Sequence, residues 1–568
     1  MGMGSTPRQL KSSLKIILWL DFFIYEAVIE SFFSMVFRLK RTVLFPVAVM
    51  TAVCLARPTL GATYNLTPSS NWLGILGTTS VLGPGDEVIL GAGVYSTSSR
   101  LSFGHVGTAD LPIVIRAAEG ANVTFTRPNA LQNVINIEGA QYMTLQGVTV
   151  TGGSSGIRIG QAGGRQAKFI TLDGNRIHGV GGVGVTANYP GNTYEGMHFL
   201  NNEIFNTGGE GEGFYLGGNN NSAQFFDGII ERNYIHHLNG PTVTQGDGIE
   251  LKDGSYNNIV RDNVIHDTRQ PGILVYGVEE QGGRNIIERN VIWNSGDHAI
   301  QAAADAVIRN NIIFSSAGNG IHSQNHQGAI PGNLTIENNT IRTSGDAIRI
   351  SSPTGGAYSG PIEIANNALY PAGTFAINLP FTTDTNIAGN IGTKFATSGL
   401  TSSQFNNSGN LLSDFVNFAA MNAFPAIGSK LIGAGVAALQ PSDDFNLTSR
   451  AGSADVGAYV YDANGNPGWP ISPSFKQFLE SGQPGDFNGD DVVDGSDFLT
   501  WQRDPSTGEL ADWKAHFGES AGNATAMSVP EPAAYMLLAA GLLTTVGCRR
   551  GFPIHRRGTE ALSTESPA

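Results

Sequence analysis

Cysteine is nearly missing: the 568 residues hold two, Cys54 and Cys548, both in apolar terminal stretches. The body between them has neither disulfides nor a thiolate metal site to hold it together. Charge is scarce as well, 14% of residues against a usual quarter. With 41% apolar residues, low charge is the wrong balance for disorder. A coiled coil or helical bundle would need more Ala, Leu, Glu and Lys. Basic residues are in deficit, for a net charge of −14, which excludes a general nucleic-acid binder. A polyanionic partner could be met only through a bound cation. What is abundant is glycine, 74 residues, nearly twice its usual share. It shows no three-residue period, which excludes collagen. High glycine with modest charge points to many tight turns joining short strands.

A repeat fills the middle of the chain. Its template is aliphatic-x-x-Asn-x-aliphatic, seen at Asn175, Asn233, Asn263, Asn290, Asn311, Asn339 and Asn367, with an offset copy at Asn202. An earlier copy has Val148 in the Asn place, and the anchors are 21 to 31 residues apart. Each copy holds short runs that alternate at period two, which is strand behaviour. Three short strands and three turns use about this many residues, and coils stack ~4.8 Å apart. The unit is therefore a coil of a parallel β-helix, not a helical repeat. The recurring Asn suits a turn, since it tolerates left-handed backbone, and stacked amides can bond along a ladder.

The segments after each Asn align as Glu212-Gly-Phe-Tyr215-Leu-Gly217, Asp247-Gly-Ile-Glu250-Leu-Lys252 and Pro271-Gly-Ile-Leu274-Val-Tyr276. They continue as His298-Ala-Ile-Gln301, Asn319-Gly-Ile-His322-Ser-Gln324 and Asp346-Ala-Ile-Arg349-Ile-Ser351. The Phe or Ile column must point inward, so period two sends its neighbours outward. One exposed face then carries Glu212, Tyr215, Asp247, Glu250, Lys252, Tyr276, His298, Gln301, Asn319, His322, Gln324, Asp346 and Arg349. Such a strip suits an extended polysaccharide, aromatics stacking on sugar rings and polar groups meeting hydroxyls. Expected substrate-binding residues are Tyr215, Glu250, Gln301, His322, Gln324 and Arg349. The plainer alternative is a solvated outer face.

The entry stretch from Pro84-Gly85-Asp86 to Val94-Tyr95, the segment Asp110 to Ala117, and the exit stretches Phe424 to Leu431 and Asp455 to Tyr459 frame this repeat. Together with it they resemble secreted bacterial right-handed β-helix proteins of the pectate-lyase-like superfamily, over about residues 80–460. The resemblance implies an all-β fold, a single-stranded right-handed parallel β-helix over 63–475. It leaves function open, because the scaffold hosts many activities.

The stretch Gln245-Gly-Asp247-Gly-Ile-Glu250-Leu-Lys252 resembles the calcium and base strand of chondroitinase-B-like and alginate lyases. In that family an acid five residues before a Lys helps bind calcium, and the Lys is the base, which implies Asp247 as metal ligand and Lys252 as catalytic base. The family's preceding acid falls on Gln245, and its Arg on the next coil falls near Tyr276 or Gly277, so both are missing. Tyr276 or His298 could supply the acid. Removal of a uronide C5 proton with expulsion of the 4-O-linked sugar is the expected chemistry. Calcium would neutralise the uronate carboxylate, and Lys252 could act as base only if a cation offsets the neighbouring acids. The alternatives are a non-catalytic surface adhesin or matrix protein, a uronate C5-epimerase, or a plain surface ion pair of Lys252 with Glu250 or Asp247.

Residues 486–497 place oxygen ligands at EF-hand spacing: Asp486, Asn488, Asp490, the Val492 carbonyl, Asp494 and Asp497. The following Phe498-Leu-Thr-Trp501 resembles half of a dockerin, which implies a small helical calcium module over 481–520. With one loop, a cohesin partner is not expected. Met35, the basic residues after it, the apolar run from Val43 to Leu55 and Leu60-Gly61-Ala62 form a secretory leader. Cleavage is expected after Ala62 and the true start at Met35. Val529-Pro-Glu-Pro532, an apolar run and Arg549-Arg550 resemble the PEP-CTERM sorting signal, over 529–551, followed by a tail, 552–568. That implies export to the cell surface or beyond, with membrane contact through the sorting segment.

Overall fold

The computed structural model describes residues 61–394, 399–477, 485, 487, 492–503 and 510–518. The leader (all but its last two residues), the sorting segment, the tail and Asp486, Asn488 and Asp490 lie outside the described residues.

Short strands of two to six residues wind into coils, and each pairs in parallel with the coil before and after it, except for one antiparallel pair near the end. Three long sheets result, of 15, 13 and 11 strands. The first includes Ile229–Glu231, Ile259–Arg261 and Asn285–Glu288, and the second includes Glu203–Phe205, Tyr234–Leu238, Val264–Thr268 and Val291–Ser295. The third includes Phe214–Leu216, Ile249–Leu251, Ile273–Val275, Ile300–Ala302, Ile321–Ser323 and Ile348–Ile350. Phe214, Ile249, Ile273, Ile300, Ile321 and Ile348 all point inward and are fully buried. Each such side chain is worth roughly 1.5–3 kcal/mol of burial. The small residue before each is required by close stacking: a Cβ on Gly213 would lie 2.5 Å from the Gly248 carbonyl oxygen.

The recurring Asn residues are buried and form one continuous ladder. The Asn263 side-chain oxygen accepts from the Asn233 backbone N–H at 2.9 Å and from its amide at 3.0 Å. The Asn263 amide donates back to the Ile230 carbonyl at 2.9 Å and on to the Asn290 oxygen at 2.9 Å. The same pattern runs from Asn175 to Asn390, one coil beyond the last Asn of the sequence template. Val148, lacking the amide, only donates its backbone N–H to the first rung. One expectation shifts by a residue. The left-handed backbone is not at the ladder Asn but immediately before it, at Asn201, Arg232, Asp262, Arg289, Asn310, Asn338 and Asn366, with φ between 51° and 58°. The turn residue faces outward, which frees the next side chain to enter the interior.

The solenoid strands run from Thr63 to Asn406. Beyond them, residues 411–477 have little regular structure and lie over the second sheet. They cover an apolar column on its outer face, including Val264, Val291, Ile312, Ala368 and Ile391, with Phe415, Phe418, Phe445, Tyr459 and Trp469. The segment ends with Lys476, fully buried, whose ammonium donates to Asp262 at 3.0 Å and to the Phe445 carbonyl at 2.6 Å. The described part of the expected calcium module is two short helices, Gly495–Arg503 and Leu510–His516. The Asp497 carboxylate accepts from the backbone N–H groups of Phe487 and Asp494 at 2.8 and 2.7 Å.

Candidate functional site

The register of the third sheet places one residue from each coil in an outward column. It runs Ser102, Asn136, Arg158, Thr186, Tyr215, Glu250, Leu274, Gln301, His322, Arg349 and Asn378. Glu212, Asp247, His298 and Asp346 flank it on one side, Lys252, Tyr276, Gln324 and Ser351 on the other. The expected strip therefore shares one sheet face.

It is, however, mostly buried rather than open. Tyr215, Glu250, Lys252, Tyr276, Gln301 and His322 are all under 9% exposed, and of the expected binding residues Arg349 alone is freely exposed. A roof accounts for this. The turn at His326–Ala329 lies over the third sheet, with the His326 ring 4.3 Å from that of Tyr276 and its Nδ1 3.0 Å from the Gln301 amide nitrogen. Gln327 then reaches the 217–223 loop: its amide donates to Asn219 Oδ1 and its oxygen accepts from the Asn220 N–H, both at 3.0 Å. These partners are more than 100 residues apart in sequence. Four coil steps separate Phe214–Leu216 from Ile321–Ser323, so the roof spans about 19 Å of the axis.

Under the roof the charged core is dense. Lys252 forms an ion pair with Glu250, its ammonium donates to the Tyr276 hydroxyl at 3.2 Å, and it sits over the rings of Tyr215 and Tyr276 at 4.6 and 4.8 Å. The Tyr276 hydroxyl also lies 3.3 Å from Glu250. Burial, with the Glu250 charge added, pushes both tyrosine hydroxyls well above their ordinary range. Tyr276 thus stays protonated.

Beside Lys252, carboxylate oxygens of Glu212, Asp247 and Glu250 converge to within 4.8 Å of one another, all three residues buried. Among the described residues, both Glu212 oxygens, one of Asp247 and one of Glu250 have no hydrogen-bond partner. Burial, followed by the neighbouring Glu250 and Glu210, pushes Glu212 up to about 7, and Asp247 and Glu250 are raised for the same first cause. Orphaned, converging carboxylate oxygens fit a hard divalent cation, which takes oxygen ligands of this kind. The acid that the sequence lacks at Gln245 comes from the preceding coil as Glu212. Gln245 itself is exposed and bonds through its backbone to Glu210. The sequence signal was present, because Glu212-Gly-Phe and Asp247-Gly-Ile occupy the same place in consecutive coils.

His298 is on this face but away from Lys252. Its Nδ1 accepts the Asn319 backbone N–H at 2.9 Å, so the neutral ring carries its proton on Nε2 and donates to His322 Nδ1 at 2.7 Å. His322 Nε2 in turn donates to the Ser351 hydroxyl at 2.9 Å. Burial lowers both imidazoles, His322 to about 3, and keeps the pair neutral. The chain is a fixed relay of donors that leaves the Ser351 proton free to point outward. Asp346 is held by Phe375 N–H and the Asn378 amide at 2.9 and 2.7 Å, and Arg349 lies 3.8 Å from it. An apolar groove lined by Trp293, Phe314, Leu411, Phe415 and Phe418 lies on the second sheet and contains none of these groups.

Residues 115–306 and 277–369 match the family described as right handed beta helix region, and the three parallel sheets between Thr63 and Asn406 form a parallel β-solenoid. No curated protein matches the sequence. Among solved structures, the chain is similar to a mannuronic acid specific polysaccharide family 6 lyase from human gut microbiota. The identity is 16%, covering 61% of this chain and 85% of that one, with a TM-score of 0.42. It is similar to pectate lyase Pel9A at 14% identity, covering 71% and 97%, with a TM-score of 0.46. It is similar to an alginate lyase from Paenibacillus sp. str. FPU-7 at 19% identity, covering 57% and 99%, with a TM-score of 0.37. No helix among the described residues is long and apolar enough to cross a membrane.

Proposed function

We propose that this is an exported polysaccharide-binding β-helix protein that cleaves an acidic polysaccharide by β-elimination with the help of calcium. The observation that carries the reading is the hydrogen-bonded Lys252–Tyr276–Glu250 group set against the three orphaned carboxylates of Glu212, Asp247 and Glu250. Those carboxylates would hold the cation. When bound, it supplies positive charge that neutralises a uronate carboxylate and makes the C5 proton more acidic.

The chain's own residues do the rest. Lys252 Nζ is the base that removes the C5 proton. The Tyr276 hydroxyl, kept protonated by burial, gives its proton to the departing 4-oxygen. His298, with both ring nitrogens engaged, is not placed for that step. Gln301, His322, Gln324, Ser351 and Arg349 continue the polar face toward the C-terminal end and would bind further sugar units. The same reading keeps the body outside the cytoplasm, with membrane contact through 529–551 and a second calcium ion at 486–497.

A second reading, binding without cleavage, is favoured by one observation: Lys252 is only 4% exposed and already ion-paired. Incubating the protein with alginate, pectin and chondroitin, with and without calcium, and following the ultraviolet absorbance of unsaturated product separates the two. Calcium-dependent product that Lys252→Ala abolishes supports the lyase. Retention on a polymer without product supports binding alone, and product that survives Lys252→Ala sinks the mechanism.

A further inference from the structure

A second cluster of metal-ligating side chains lies on the second sheet, away from the acid group and made of different donors. Tyr234–Leu238 and Val264–Thr268 are neighbours in register, with His236 opposite His266. The rings of Phe205, His236, His266 and Trp293 stack as a ladder, which accounts for His236 and His266 as packing. It does not account for His237 and Asp267. Both sit at left-handed backbone, φ 54°, which turns their side chains out of the sheet and beside His266.

The hydrogen bonds fix where the protons are. Glu203 can only accept, so in the neutral His236 ring the proton is on Nε2, 3.2 Å from Glu203 Oε1. His236 Nδ1 is then a bare lone pair, and it lies 2.7 Å from His237 Nδ1. His237 must therefore carry its proton on Nδ1, which leaves its Nε2 as an unprotonated lone pair. That nitrogen faces Asp267 Oδ2 at 4.0 Å. Asp267 Oδ2 also accepts from His266 Nδ1 at 2.6 Å, and its other oxygen is held by the Asn294 amide. Ligand atoms of His237, His266 and Asp267 all lie within 4.8 Å of one another.

We propose that His237 Nε2, His266 Nδ1 and Asp267 Oδ2 bind a divalent transition metal of the zinc class, with the fourth position open to solvent. Two imidazoles and one carboxylate are a donor set for zinc, cobalt, nickel or copper rather than calcium. Three protein ligands with one free position is the arrangement of an open site. Bonds of ~2.1 Å in tetrahedral geometry put donors about 3.4 Å apart, so the 4.0 Å pair has to close by roughly half an ångström and the 2.6 Å pair of His266 and Asp267 has to open by about 0.8 Å. His237 can do so, because its ring is more than half exposed. His266 changes tautomer with no net proton lost: Nδ1 releases its proton to solvent and offers its lone pair to the metal, Nε2 takes a proton from solvent and donates it to the Tyr234 oxygen, 3.0 Å away, and the Tyr234 hydroxyl turns its own proton outward. Glu203, through His236, orients His237 as an outer partner, a role that such carboxylates play for metal-bound histidines.

The test uses the full chain without a histidine tag, stripped with chelator and titrated with cobalt(II) while visible absorption and bound metal are measured. With excess calcium present to fill the carboxylate sites, one bound cobalt with the intense band of a four-coordinate nitrogen-ligated site is expected, displaced by zinc. His237→Ala and Asp267→Asn should each remove the band, while Glu203→Gln should weaken binding about tenfold. Glu212→Gln, in the acid cluster, should leave the band intact. No band in the unmodified protein, a band that survives His237→Ala, or one that calcium removes would overturn the proposal. His237 is exposed and its replacement leaves the ladder rings in place, so loss of the band is not loss of the fold.

Discussion

Glutamate 212 should weaken the protein that carries it, and replacing it with glutamine measures by how much. Its carboxyl is fully buried, neither oxygen has a hydrogen-bond partner among the described residues, and burial beside Glu250 and Glu210 raises its pKa from 4.5 to about 7. A pKa raised in the folded state means that folded protein holds this proton more tightly than unfolded protein does. Stability from this group is therefore greatest below pH 4.5 and falls as the pH climbs to about 7, where the loss is complete. A shift of that size corresponds to about 3 kcal/mol. In chelator, Glu212→Gln and the unmodified protein should unfold alike near pH 4.5, and at pH 8 the variant should be more stable by about 3 kcal/mol. Calcium should reverse the order: at a free concentration about a thousandfold above Kd it adds about 4.1 kcal/mol to a protein with an intact site. Glu212→Gln should gain far less. Urea unfolding followed by circular dichroism at both pH values, with chelator or calcium, reads all four numbers, and the shared C-terminal loop cancels in the comparison. A variant less stable than its parent at pH 8 in chelator, or an equal calcium gain in both, refutes the reasoning.

Other outcomes follow from the ladder and the roof. Asn263→Ala strips the Asn233 backbone N–H and the Ile230 carbonyl of buried ladder partners, which should cost about 2–6 kcal/mol at ~1–3 kcal/mol per orphaned group. Exposed Asn294→Ala, measured by the same urea unfolding, should cost far less, and equal costs would refute the ladder as a source of stability. Gln327→Ala removes two exposed hydrogen bonds of the roof, about 0.5–1.5 kcal/mol each. Acylation of Lys252, read by mass spectrometry, should then run at least about fivefold faster, and an unchanged rate would show that the roof does not limit access. Ser351→Ala removes the acceptor at the end of the His298–His322 relay, so it should weaken polymer retention while leaving the fold intact by circular dichroism.

Much of the fold was legible in the sequence because the repeat states its own geometry. Period two fixed the inward Phe and Ile column, and the Asn spacing fixed the coil. The outward column, including Tyr215, Glu250, Gln301, His322 and Arg349, follows from those alone. What escaped is whatever depends on register between coils or on side chains at left-handed turns. Glu212 stands 35 residues from Asp247 and becomes its neighbour only when the coils stack. His237 and Asp267 look like surface residues until their φ angles are known. The roof joins loops so far apart in sequence that no local pattern marks it, and that is why the strip reads as open when it is largely covered. Residues 411–477 read as further coils, yet their aromatic side chains are committed to covering the outer face of the second sheet.

The contact between Gln327 and Asn219 also bears on how such a protein can change. A solenoid can gain or lose a coil by duplication or deletion, since each coil touches only those beside it. A tie across four coil steps breaks that freedom. One coil more or less between Phe214–Leu216 and Ile321–Ser323 would part the two loops by about 5 Å, too far for either hydrogen bond. This stretch therefore counts its own repeats, and coil number should vary among relatives only outside it.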